Sequence, residues 1–190
     1  MPRAARSACR IDVIVESGLW RQPGRVKALL RRAVTAAAAA LSTRGAELAI
    51  VLTDDSAIRL LNRNWRGIDA ATNVLSFPTQ HSGGVPPLLG DVVLAYETIA
   101  REARAEQKPF AHHLAHLAVH GFLHLCGYDH EHDEDAEAME QAERKILRRL
   151  AIPDPYRPRR RVANASVKKT AGKAAAKTRR PSALKAKRTR

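Results

Sequence analysis

Seven of the eight histidines in this chain fall between residues 112 and 132. Within that stretch, His120-Gly121-Phe122-Leu123-His124-Leu125-Cys126-Gly127-Tyr128-Asp129-His130 places two imidazoles four residues apart. On a helix, residues i and i+4 share a face one turn apart, close enough to hold one metal ion between them. Gly127 comes three residues after His124. Glycine takes up the left-handed conformation that ends a helix and reverses the chain, and such a reversal would return His130 to the other two. Three imidazoles suit Zn²⁺ and leave a fourth position for water or substrate, the arrangement of a catalytic rather than a structural site. The sequence therefore predicts one zinc ion per chain, held by His120, His124 and His130. A lone histidine on a helix is ordinarily a surface or packing residue, but three at this spacing, with glycine at the turn, are not explained that way. His112, His113, His116 and His132 receive no assignment. His116 lies one turn before His120, where a supporting role, the core and the surface all remain open.

The spacing of the three histidines and the glycine matches that of metzincin peptidases, which carry a glutamate after the first histidine as general base. Here that position is Gly121. A glycine cannot take a proton, so the metal pattern is present without the peptidase base, which argues against peptide hydrolysis. Asp129 is read either as orienting a ligand or as a turn residue. Arg66, near the end of a predicted helix, is read either as an anion clamp or as a solvated helix-end arginine. Arg59 and Arg63 share its stripe and stay unassigned.

These residues need elements to hold them. Ile11 to Val15 alternates with period two and reads as a strand that Pro23-Gly24 breaks. Residues 25–42 carry apolar side chains at helical spacing. Leu48 to Leu52 is a continuous apolar run, the pattern of a buried strand. Thr53 or Asp54 can cap the next helix, in which Ile58, Leu61 and Trp65 share one face, and Gly67 can end it. Asn73 to Phe77 and Asp91 to Ala95 read as strands separated by a polar loop, Gln80 to Pro87. Helices are expected over 96–107, 109–126 and 133–150, the last with acidic residues first and basic residues last, as the helix dipole favours. The fold class is α/β (α+β): a single domain with a small mixed sheet packed with helices.

The stretch His120-Gly121-x-Leu123-His124-Leu125-x-Gly127-Tyr128-Asp129-His130 resembles the signature of the YbeY-type endoribonucleases. Leu61-Asn62, Arg66, Thr72-Asn73-Val74-Leu75-Ser76-Phe77-Pro78, Leu89-Gly90-Asp91 and the Met139 to Glu143 helix match as well. The resemblance runs in order from about residue 10 to Tyr156. It implies a single-strand-acting, metal-dependent endoribonuclease that matures ribosomal RNA, notably the small-subunit 3′ end, and supports ribosome quality control. It implies the three metal ligands at His120, His124 and His130 and gives Arg66 a functional role. The partners it implies are RNA (ribosomal RNA and ribosomal subunits), with ribosomal proteins or a ribosome-assembly GTPase beside them, and no membrane.

A metal with an open position can polarise a phosphoryl oxygen or lower the pKa of a water toward ~7. Arginine suits the charge that builds on a phosphate because its planar fork matches two oxygens. No side chain stands out as a general base, which leaves water or the RNA 2′-hydroxyl. Two rival readings remain: a metal hydrolase of another bond, and a non-catalytic RNA-binding ribosome-assembly factor with a structural zinc.

Charge is distributed unevenly. Residues 157–190 hold fourteen of the 33 Lys and Arg and none of the 19 Asp and Glu, so residues 1–156 balance at nineteen of each. The whole excess of +14 sits in the tail. The expected organisation is a metal-dependent catalytic domain, 1–156, followed by a disordered Lys/Arg/Ala-rich tail, 157–190. Two cysteines, Cys9 and Cys126, are too few for a disulfide framework and suit a reducing cytoplasm. No apolar run approaches the ~18 residues a membrane helix needs.

Overall fold

The computed structural model describes residues 8–43, 45–79 and 88–157. The loop expected at Gln80 to Pro87 and the tail expected over 157–190 lie outside the described residues, apart from Arg157. Four strands, β1 (Arg10–Val15), β2 (Glu47–Thr53), β3 (Val74–Pro78) and β4 (Leu88–Ala95), form one sheet in the order β1-β2-β4-β3. β1, β2 and β4 run parallel, and β3 pairs antiparallel with β4 as the edge strand. The helices are α1 (Pro23–Leu41), α2 (Asp55–Arg66), α3 (Tyr96–Ala105), α4 (Phe110–Leu125) and α5 (Asp133–Arg149).

The parallel centre of the sheet explains the unbroken apolar run of β2. Leu48, Ile50 and Leu52 enter the large core with α1 and α4, while Val51 packs on the opposite face with Ile58 of α2, Leu75 and Val93. β1 already ends at Val15, ahead of the Pro23-Gly24 pair expected to break it, and Pro23 opens α1. Its ring fixes φ near the helical value, and its missing N–H falls where no intrahelical partner exists anyway. Asp54, not Thr53, caps α2, accepting the Ala57 N–H at 3.0 Å. Along α2 burial fades: Ile58 is fully buried, Leu61 half-buried and Trp65 73% exposed. The shared face expected for these three is therefore a core face only at its N-terminal end.

α4 lies at the centre of the large core. Leu114, Ala115, Ala118, Val119, Phe122 and Leu123 are all buried. Each large apolar side chain so enclosed contributes about 1.5–3 kcal/mol. Its half-buried residues include His112, His116, His120 and His124, a single stripe at four-residue spacing. Gly121 faces the sheet, and a Cβ there would lie 2.7 Å from Val92 Cγ1 and 3.1 Å from Ser76 Oγ. Glycine at this position lets α4 settle onto β3 and β4. No helix among the described residues is long and apolar enough to cross a membrane.

Candidate metal centre

The turn after α4 builds the site. Gly127 has φ +85°, its N–H donates to the His124 carbonyl at 3.0 Å, and the Tyr128 N–H donates to the Leu123 carbonyl at 3.1 Å. These two bonds are the Schellman pattern, which satisfies the last carbonyls of a helix while reversing the chain. The reversal brings His130 back to the helix, as the sequence predicted. One ligand atom each from His120, His124 and His130 lies within 4.8 Å of the others, with ring centroids 4.6, 5.0 and 5.6 Å apart. Asp129 serves the turn: its carboxylate accepts the N–H of His130 at 2.7 Å.

Hydrogen bonds on the far side of two rings settle which nitrogen faces inward. His124 Nδ1 lies 3.0 Å from the Tyr128 carbonyl, and His120 Nδ1 lies 2.8 Å from Glu143 Oε1. Both partners are acceptors, so both Nδ1 atoms carry the proton in the neutral rings, and both Nε2 atoms keep a lone pair. Those two Nε2 atoms stand 3.1 Å apart. Two lone pairs at that distance repel unless a cation lies between them. Two nitrogens on a tetrahedral zinc at ~2.05 Å would be about 3.3 Å apart, so the donor set fits the ion that the sequence implied. Burial first, then the neighbouring His120 and His130, hold the His124 pKa below its ordinary value. This keeps the ring neutral and able to bind metal.

Sequence reasoning missed the group behind His120. Glu143 of α5 is completely buried, yet it is ionised. Burial alone would raise its pKa; hydrogen bonds from His116 and His120, the charge of His116 and the Tyr156 hydroxyl together bring it down to about 2. His116 Nε2 lies 2.8 Å from the second carboxylate oxygen, and Tyr156 donates to that oxygen as well. His116 thus supports the centre through Glu143. The signal was present in the sequence: Met139, Glu143 and Ile146 fall at i, i+4 and i+7, which puts a carboxylate on the apolar stripe of α5. Residues 154–156 are strapped down here by the Lys108 ammonium on the Pro155 carbonyl (3.2 Å), the Arg144–Asp154 ion pair (3.6 Å) and the Arg144 guanidinium 4.9 Å from the Tyr156 ring centre. His113 belongs elsewhere. It is buried, and its Nε2 meets Glu102 Oε2 at 2.8 Å, where Asn73 Nδ2 also donates at 2.9 Å.

The structure does not bring Arg66 into the histidine group. Arg66 is exposed at the C-terminal end of α2, on the sheet face opposite α4, beside a cavity of about 820 Å³ that it lines with Trp65, Phe77, Ser76 and Asp91. Ser76 links the two regions, because its hydroxyl donates to the Gly121 carbonyl, next to His120, at 3.2 Å.

Fold and site together define a small mixed α/β domain whose central helix, with the turn that follows, presents three histidines able to hold a metal ion. The family model described as Endoribonuclease YbeY matches residues 19–151, and the chain belongs to that family. Relatives named Endoribonuclease YbeY include one from Nitrobacter hamburgensis, 56% identical over 80% of this chain and 84% of its own length. Another, from Bradyrhizobium diazoefficiens, is 54% identical over 78% of this chain and 85% of its own length. The solution structure of TM1509 from Thermotoga maritima aligns at 22% identity with a TM-score of 0.47, covering 78% of this chain and 99% of that one.

Proposed function

We propose that this protein is a zinc-dependent endoribonuclease that matures ribosomal RNA in the cytoplasm, with His120, His124 and His130 as the ligands of one zinc ion per chain. The observation that carries the reading is the pair of inward-facing Nε2 atoms 3.1 Å apart, each ring oriented by an acceptor on its other nitrogen. Zinc held there would supply Lewis-acid polarisation of a phosphoryl oxygen. The protein's own groups do the rest. Glu143 holds the His120 ring, the Tyr128 carbonyl holds the His124 ring, and Arg66, whose guanidinium has no hydrogen bond or ion pair among the described residues, clamps a phosphate. The family's printed name supports RNA as substrate, and ribosomal subunits and their assembly factors are the partners this reading entails. The same reading divides the chain into a neutral catalytic domain, 1–156, and a basic RNA-binding segment, 157–190.

Gly121 weighs against peptide hydrolysis a second time, since its Cα faces Val92 and Ser76 with no room for a glutamate. The deciding experiment measures zinc content and RNA cleavage on one purified sample, with His124→Ala alongside. The native protein should carry about one zinc and cut RNA, and the variant should lose both. Peptidase activity abolished by His124→Ala, with RNA left intact, would overturn the reading.

A further inference from the structure

We propose that the cavity beside α2 binds one unpaired nucleobase of a single-stranded RNA, stacked on Trp65, with the neighbouring phosphate on Arg66. The inference rests on the endoribonuclease reading and deepens it by assigning to Trp65 the seat of one base of the substrate.

Trp65 is 73% exposed, more than any other large apolar side chain among the described residues. An indole carries 150–250 Å² of mostly apolar surface, so an open one marks a contact surface. Phe77 meets it in a T-shaped contact, with centroids 5.8 Å apart, which holds the ring without stacking over it. Leu75 and Val93 give the adjoining cavity an apolar floor, and Asp91 offers an acceptor for a base N–H. The charges sort the arginines of α2. Arg59 is committed to Asp69 by two parallel bonds of 2.8 and 2.9 Å, whereas Arg66 makes no such bond among the described residues. A flat apolar face followed in sequence by a free guanidinium fork matches a nucleotide, a flat base joined to an anion.

Position supports the same ligand. Ser76 lines the cavity beside Phe77 while its hydroxyl reaches the Gly121 carbonyl of α4, so the edge strand β3 lies between the base site and the helix carrying His120. A strand whose base lies on Trp65 passes over β3 toward the metal centre. Duplex RNA cannot do this, because its bases are already stacked and paired.

The chain supplies its own reporter. It has two tryptophans. Trp20 is buried, with its indole N–H donating to the Thr53 carbonyl at 2.8 Å, so a change in emission on binding reports Trp65. Zinc-loaded protein is titrated with a short unstructured 2′-O-methyl RNA oligonucleotide, followed by tryptophan emission and by anisotropy of an end label. The expected result is quenching with the same midpoint as the anisotropy change. Trp65→Ala should weaken binding roughly 5- to 150-fold, the range for losing one base–aromatic stack. Trp65→Tyr should restore most of it, and a duplex of the same sequence should not quench. Trp65 is exposed, so both variants should fold, which matching thermal midpoints will check. RNA bound equally well by native protein and Trp65→Ala, with unchanged emission, overturns the inference and leaves the endoribonuclease reading standing. A native protein that neither binds nor cuts RNA overturns that reading, and this one with it.

Discussion

Replacing Glu143 with Gln should weaken zinc binding about 10- to 100-fold while leaving all three ligands in place. The reason is a count of donors. Two imidazole N–H groups and the Tyr156 hydroxyl converge on the two oxygens of Glu143. Glutamine offers one oxygen and one NH₂, so one histidine would meet a donor with a donor. If it is His120, the ring proton moves to Nε2, the atom that faces His124, and the lone pair for the metal is lost. If it is His116, an unmet buried donor costs about 1–3 kcal/mol, and the metal-free protein melts lower by roughly 2–4 °C for each of them. Zinc affinity is read by competition with a chromophoric chelator, and stability by thermal unfolding of the metal-free protein. Tyr156→Phe leaves both histidine bonds intact and should weaken zinc less than Glu143→Gln does. A Gln variant that keeps native affinity and native melting would refute the claim that Glu143 sets the His120 tautomer.

Three further outcomes are expected. Arg66→Ala should slow RNA cleavage while leaving zinc content and melting unchanged, and Arg66→Lys should recover only part of the rate because an ammonium has no fork; a normal rate in Arg66→Ala returns that residue to the solvated surface. Gly121→Ala should destabilise the fold by about 1–3 kcal/mol through overpacking against Val92 and Ser76, read as a lower thermal midpoint, and an unchanged midpoint would refute the close approach of α4. Deleting residues 157–190 should flatten the dependence of RNA affinity on salt, by about 0.7 in log–log slope for each phosphate that the tail neutralises, while zinc content holds because Tyr156 remains. An unchanged slope would remove the tail from the RNA interface.

The convergence of the three histidines was legible because it is local. Helical spacing and one glycine fix where three rings go within eleven residues. The strands and helices were legible for the same reason, since period and apolar runs are properties of neighbours. The support for the triad was not. Glu143 sits on a different helix from His120 and His116, and only tertiary packing of α5 on α4 shows that its carboxylate closes on both. Trp65 failed in the other direction. Its spacing from Ile58 and Leu61 is that of a core face, but Phe77 of the edge strand meets the indole edge-on and leaves most of it open, and sequence carries no information about how far a neighbouring element covers a face. Pro23 was read by its usual effect in mid-chain, although its position at the first turn of α1 makes it a starter.

The strap at residues 154–156 also sets an order of events during synthesis. The ribosome delivers His120, His124 and His130 first, then Glu143, and only later Tyr156. At about 5–20 residues per second, the nascent chain carries all three ligands for roughly one to five seconds before the hydroxyl that completes the Glu143 contacts has been made. During that interval the three histidines are present while Glu143, once made, still lacks its third donor, so on the zinc reading a metal bound early would exchange more readily than one held by the finished chain. On that reading the arrival of Tyr156 would act as a late lock, turning a provisional ion into a resident one.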